Sequence, residues 1–263
     1  MRLISGRSNP LIKTARSLSS QKGRRESGLA LVEGHKLVLE AMDNGFSIAR
    51  LIVDEGKAQD YKAIIAAAEA LGADVAAVDA AIMQTISDAK QSQGIAALIR
   101  LPNQDNLVEC DGGLVVALER VQDPGNVGAI IRSADAFGAA AIALSSDCAD
   151  HMSPKAIRAS AGSVFHLHVY VADDFPKYIR NMKDKGFLIA AGHLSGEEQT
   201  PVADNTVLVI GNEGSGISSA VMEASDVLWR LPMKGKAESL NAAAAAAVML
   251  YALAYCGKDG GMV

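Results

Sequence analysis

The sequence predicts an α/β protein built in two units, and three observations carry that reading. The chain has 263 residues, room for one large domain or two modest ones at roughly 100–200 residues each. Short apolar runs alternate with stretches of helical periodicity, the pattern of strands and helices layered on a sheet. A polar, turn-forming stretch, Pro102-Asn103-Gln104-Asp105-Asn106, divides that alternation into two self-sufficient halves. Residues 1–102 and 113–263 are therefore expected as domains, with 103–112 as the linker.

Taken in order, Asn9-Pro10 reads as an N-cap followed by proline at the first helical position and opens a helix to about Ser20, with Gln21 to Gly28 following as a basic loop. Leu29 to Val32 is a short strand, Gly34 to Met42 a helix and Ile48 to Val53 a strand. Tyr61 to Leu71 carries Ile64, Ile65, Ala68 and Leu71 at helical spacing. Val75 to Val78, a helix through Ile82 and Ile86, and a strand from Gly94 to Leu101 complete the first unit. Beyond the linker the strands turn more apolar, as expected where helices cover both faces of a parallel sheet. Their positions are 114–118, 141–144, 164–171, 187–190, 207–210 and 227–231, with helices at 127–137, 154–161, 174–185, 217–224 and 239–256.

Composition excludes several classes. Hydrophobic residues make up 49% and charged residues 21%, which fits neither disorder nor a fibrous repeat. The apolar run Ala242 to Cys256 has 15 residues, short of the roughly 18 of a membrane-spanning helix. No apolar stretch of a secretory leader follows Met1-Arg2, so a cytoplasmic protein is expected, with no membrane partner. Cys110, Cys148 and Cys256 lie far apart without a CxxC pair, and His35, His151, His166, His168 and His193 show no ligand spacing, so no metal is expected. The net charge of −5 argues against a polyanionic partner, but residues 1–36 hold eight basic residues against two acidic ones, an excess of +6. Arg7, Lys13, Arg24, Arg25 and Lys36 from that segment are the candidate contacts to a polyanion.

In open α/β sheets the chemistry gathers outside the carboxyl ends of the strands. Three loops there draw notice. After 114–118 comes Glu119-Arg-Val-Gln-Asp-Pro-Gly-Asn126-Val-Gly-Ala-Ile-Ile-Arg132, in which Asn126 can cap the following helix and Arg132 needs an anionic partner. After 207–210 comes Gly211-Asn-Glu213-Gly-Ser-Gly216, which is neither GxGxxG nor a phosphate-binding GxxxxGK loop. Glu213 in it is the expected partner of Arg132. The third segment, Leu231-Pro-Met233-Lys-Gly-Lys-Ala-Glu-Ser239-Leu240-Asn241, supplies apolar surface and free carbonyls suited to a flat ligand such as adenosine, and its plain structural role would be to cap the last helix.

In this order and spacing the three segments resemble the motifs of the SpoU (TrmH) family of RNA ribose 2'-O-methyltransferases. The resemblance covers roughly 110–256. The first 100 residues, through Val32-Glu-Gly34-His-Lys36 and Gln93-Gly-Ile-Ala-Ala97, resemble the ribosomal-protein-L30e-like RNA-binding domain that precedes the catalytic domain in many members. The family often shows Val-Ser-Val-Ala after the position of Asn241, where this chain has only alanines.

What the resemblance implies is specific. The fold would be a small L30e-like α/β domain followed by a SPOUT-type α/β domain whose last helix threads a trefoil knot, an exception to the rule that chains avoid knots. The enzyme would be a homodimer using S-adenosylmethionine to methylate structured RNA, ribosomal RNA ahead of transfer RNA. Arg132 would be the central catalytic residue, with Asn126 and Glu213 holding it and Ser239 and Asn241 completing the pocket. Gly211, Leu231 and Leu240 match the family's cofactor positions, and Ile210 and Met233 would pack on the cofactor. Arginine makes an awkward base, since its pKa lies above ~12 and it offers no acceptor. A clamp on phosphate or ribose suits it better, with proton loss aided by that phosphate or by a neighbour.

Two other classes fit worse. A nucleotide-dependent oxidoreductase would need a glycine-rich first turn with an acidic residue about 20 positions on, which neither half has. A non-catalytic RNA-binding module could dispense with Arg132, Glu213 and Asn241, yet all three are present.

Overall fold

The computed structural model describes residues 1–87, 89–102, 110 and 112–255. The expected linker falls almost entirely outside these residues, as does Cys256. The described chain forms two compact units, each with its own sheet. No helix among the described residues is long and apolar enough to cross a membrane.

The first unit contains β1 (Arg2–Ile4), α1 (Pro10–Ser17), α2 (Gln21–Ser27), β2 (Leu29–Glu33), α3 (His35–Asp43), β3 (Ile48–Asp54), α4 (Lys62–Ala70), β4 (Asp74–Val78), α5 (Ala80–Ile86) and β5 (Ile95–Arg100). Its sheet runs β1-β4-β3-β5-β2. The first three strands are parallel, and β5 lies antiparallel between β3 and β2. Ile12, Leu18, Leu31, Ile52, Val78 and Leu98 fill one side of it.

Two differences from the sequence reading lie at its start. β1 is an added edge strand of three residues, of which only Ile4 is buried. Gln21–Ser27 is a helix rather than a loop: the Ser20 hydroxyl accepts from the Gly23 amide at 3.1 Å, and Gly28 ends the helix in the left-handed conformation at φ +66°. Gly23 must be glycine, because a Cβ there would stand 2.1 Å from the Ser17 carbonyl oxygen. Arg24 corrects a further expectation. It is only 3% exposed, and its Nη1 donates to the Leu18 carbonyl at 2.7 Å, satisfying an acceptor at the end of α1 that the helix itself leaves open. Arg24 is a clasp between α1 and α2 and leaves the set of surface cations; Arg7, Lys13, Arg25 and Lys36 are exposed.

The second unit opens with β6 (Leu114–Leu118), α6 (Pro124–Ala136) and β7 (Ala141–Ser145). The chain then departs from it. Met152–Phe165, including α7 (Pro154–Ala159), packs with the first unit, where α7 lies against β2. Ala156, Ile157, Val164 and Phe165 are buried there, Phe165 meets Phe46 edge to face at 5.0 Å, and Gly162 sits against Glu40 and Leu37. That excursion explains why the strand expected from Val164 starts only at His168. The remaining elements are β8 (His168–Ala172), α8 (Phe175–Asp184), β9 (Leu188–Glu197), β10 (Thr206–Ile210), α9 (Ser219–Ala224), β11 (Val227–Trp229) and α10 (Ala242–Tyr255).

This sheet is parallel throughout, in the order β11-β9-β10-β6-β7-β8. Phe175, Ile179, Met182, Ile189, Val207 and Val209 are among the residues that fill one face. β9 runs well past the apolar stretch that announces it, because its polar end pairs with β11 after a register shift. Gly196 permits this approach, since a Cβ would lie 2.3 Å from the Leu228 carbonyl oxygen. The last helix begins at Ala242 rather than 239, its first turn capped by the Asn241 Oδ1, which accepts from Ala243 N at 2.9 Å.

Candidate active site

Because the sheet is parallel, the loops that leave β6, β10 and β11 all emerge at its carboxyl edge, with β6 beside β10 and β9 alone between β10 and β11. Asp123 caps α6, its Oδ1 accepting from Gly125 N at 2.7 Å, with Pro124 at the first helical position. Asn126, the expected cap, is thereby left free for another task. Its Nδ2 donates to Glu213 Oε1 at 2.8 Å, and its Oδ1 accepts from Asn241 Nδ2 at 3.1 Å. One hydrogen-bonded chain, Asn241 to Asn126 to Glu213, therefore ties all three loops together. The second carboxylate oxygen of Glu213 accepts from Gln122 N at 3.4 Å. Burial pushes the Glu213 carboxyl up, but the bonds from Asn126 and from backbone amides outweigh it and hold the group below the usual carboxylate range. Glu213 thus keeps its charge as pH falls past the point where a free glutamate begins to take up a proton.

Arg132 stands apart from this chain, which corrects the expected Arg132–Glu213 pair. It lies six residues beyond Asn126 on α6, is exposed, and takes part in no hydrogen bond or ion pair among the described residues. The carboxylate is occupied by amides of the segment after β6, from Gln122 and Asn126, a pairing that spacing along the sequence does not encode.

The loop after β10 is shaped by its own backbone. Asn212 and Gly216 exchange two amide hydrogen bonds of 3.0 Å, and the Asn212 Oδ1 accepts from the amides of Gly214 and Ser215, each at 2.9 Å. A Cβ on Gly211 would lie 2.4 Å from the Gly216 carbonyl carbon, so only glycine fits at the mouth of the loop. Ile210 is 5% exposed and lies beneath it. In the third segment Leu231 is half-buried, Ser239 is exposed with no hydrogen bond among the described residues, and Met233 and Leu240 are 37% and 40% exposed.

Two residues given no role by the sequence reading belong to this region. Arg120 adopts φ +56°, a conformation costing a non-glycine residue on the order of 1 kcal/mol. Its amide donates to Ser145 Oγ at 2.9 Å, its carbonyl accepts from Asn212 Nδ2 at 2.8 Å, and its Nη2 donates to the Gly216 carbonyl at 3.4 Å. It fastens the ends of β6 and β7 to the loop after β10. His193 lies within β9, two residues beyond Ala191, which pairs with Val209.

No cluster of three metal-ligating side chains occurs among the described residues. Cys110 and Cys148 form no disulfide among the described residues and are partly buried. Burial raises the Cys148 thiol against opposing hydrogen bonds, which disfavours the thiolate a nucleophile needs.

Comparison with known proteins identifies the family. A family model described as the SpoU rRNA Methylase family matches residues 113–251, and one described as an MRM3-like substrate binding domain matches residues 9–97. A curated relative, the 23S rRNA (guanosine(2553)-2'-O)-methyltransferase RlmP of Bacillus subtilis, is 30% identical over 256 residues, covering 96% of this chain and 99% of its own. An AdoMet-bound rRNA methyltransferase from Sinorhizobium meliloti superposes with a TM-score of 0.85 at 32% identity, covering 95% of this chain and 96% of its own. The SpoU methyltransferase AviRb from Streptomyces viridochromogenes, in complex with AdoMet, gives 0.81 at 26% identity, covering 92% and 96%.

Proposed function

The chain belongs to the SpoU rRNA methylase family and is an RNA ribose 2'-O-methyltransferase, and from that premise we propose that it uses S-adenosylmethionine to methylate a 2'-hydroxyl of ribosomal RNA in the cytoplasm. The observation that carries the site assignment is the Asn241–Asn126–Glu213 chain, which draws three loops into one place and leaves Arg132 on the same helix without a partner among the described residues. The relative's ribosomal substrate favours ribosomal over transfer RNA.

The residues fit the cofactor. Gly211, where a Cβ would collide with the Gly216 backbone, keeps the loop tightly closed with bare backbone at its mouth, while the exposed apolar side chains of Met233 and Leu240 offer a surface for a flat ring. Ile210, Gly211, Leu231, Met233 and Leu240 would hold it. When bound, S-adenosylmethionine supplies an electrophilic methyl group on a sulfonium. The chain's task is then alignment for in-line attack and relief of the 2'-hydroxyl proton. Arg132, with no acceptor atom, clamps the substrate phosphate, and the proton leaves toward that phosphate. Asn126, Glu213 and Asn241 hold the three loops in register, and Ser239 closes the pocket on the substrate side. The exposed Arg7, Lys13, Arg25 and Lys36 meet the RNA backbone.

Calorimetry with S-adenosylhomocysteine tests the cofactor site. The parent is expected to bind it in the micromolar range or tighter, and Gly211→Ala, whose Cβ must displace the Gly216 backbone, to lose at least about tenfold in affinity, the equivalent of ~1.4 kcal/mol. Absence of heat from folded parent protein overturns the assignment.

The same reading carries a trefoil knot and a homodimer. Val248, Tyr251 and Tyr255 on α10 are 47%, 51% and 62% exposed, and both tyrosines meet Phe137 edge to face, an apolar surface fit for a second copy of this chain. Analytical ultracentrifugation should find a dimer for the parent and a monomer for Tyr251→Glu.

A further inference from the structure

Arg132 has one carboxylate within reach along its own helix. Its neighbours three and four residues away on α6 are Gly128, Ala129, Asp135 and Ala136, and residues at that spacing share a helix face. An exposed arginine beside an unengaged aspartate would pair with it and be lost to a phosphate. In this protein the aspartate is engaged: His166 Nδ1 lies 2.8 Å from Asp135 Oδ2, with the two side chains 34% and 28% exposed. His166 enters from just before β8, after the chain has returned from Met152–Phe165.

We propose that His166 is a positioning residue for the methyl transfer, which holds Asp135 away from Arg132 so that the guanidinium stays open to the RNA phosphate. The inference rests on the active-site role given to Arg132 above. Its magnitude follows from the pair it prevents. Partly exposed ion pairs are worth little, so the effect is modest, and it is electrostatic, so salt screens it.

The test compares His166→Ala, His166→Gln and the double variant Asp135→Asn/His166→Ala, all as full-length protein and all first shown to bind S-adenosylhomocysteine like the parent. His166→Ala should lower kcat/KM for RNA roughly twofold to fivefold, with a larger loss at about 50 mM than at about 300 mM salt. His166→Gln keeps a donor for Asp135 and should stay near the parent. The double variant has no carboxylate to capture Arg132 and should regain the parent's rate. A purely structural histidine predicts a loss that the second substitution does not repair and that salt does not change; that result, or an unaltered His166→Ala, overturns the proposal. Arg132→Ala separates the two layers: an active Arg132→Ala removes the underlying reading and this inference with it, whereas an inactive one alongside an unrepaired His166→Ala removes this inference alone.

Discussion

Arg132→Ala should bind S-adenosylhomocysteine with the parent's affinity and methylate RNA at least about a hundredfold more slowly, the scale of losing one charge-stabilising donor in a reaction centre. The separation of the two effects follows from the structure. The guanidinium is exposed and takes no part in the Asn241–Asn126–Glu213 chain, so its removal leaves the loops assembled. Asn126→Ala provides the contrast, since it deprives Glu213 of a 2.8 Å bond and Asn241 of its acceptor. Single-turnover assays with tritiated cofactor read the first effect and calorimetry the second. A variant at Arg132 that keeps most of its rate would show that the residue does not touch the reacting groups.

Adjacent arginines in the first unit should behave oppositely. Arg24→Glu places a carboxylate where a guanidinium is 3% exposed and bonded to the Leu18 carbonyl. An unpaired buried charge costs about 3–5 kcal/mol, so urea unfolding of the first unit should shift by that amount or the protein should fail to accumulate. Arg25→Glu lies on the exposed side of the same helix and should leave stability within about 0.5 kcal/mol of the parent. Its effect should fall on RNA: weaker binding, and a log-log salt slope flatter by up to about 0.9 on a duplex or 0.7 on a single strand. Equal RNA affinity for parent and Arg25→Glu between about 50 and 200 mM salt would remove this helix from the RNA surface.

These neighbours show where sequence stops informing structure. Both read as members of a basic loop, because α2 has no apolar stripe; its buried residues are a glycine and an arginine. β1 is equally silent, with a single buried residue in three. By contrast Thr206–Ile210 is buried at every position and reads as a strand at once, and so do most strands of the second sheet. The same division holds at the site. Asn126, Glu213 and Asn241 could be picked out because the segments after three strands, where an open sheet gathers its chemistry, carry residues that resemble the family's motifs. Which atom meets which could not, because charge alone favoured Arg132 for Glu213, and the pairing was settled by Asp123 taking the cap of α6 and leaving the Asn126 amide free. Arg120 gave no sign, since nothing in its type reports a left-handed backbone.

The placement of Met152–Phe165 in the first unit has a temporal consequence. Polypeptides emerge from the ribosome amino end first, at about 5–20 residues per second. The first unit's own sheet is complete once Arg100 has been made, yet the surface that receives Ile157 and Phe165 stays uncovered until synthesis has passed those residues, a delay of roughly 3 to 13 seconds at that rate. By then β6, α6 and β7 of the second unit have also been translated. The two halves therefore cannot mature one after the other like beads on a string: the amino-terminal half is finished from within the translation of its successor. A nascent chain stalled near residue 150 would display a half-built protein in which Phe46, lacking its partner Phe165, is left open to chaperones.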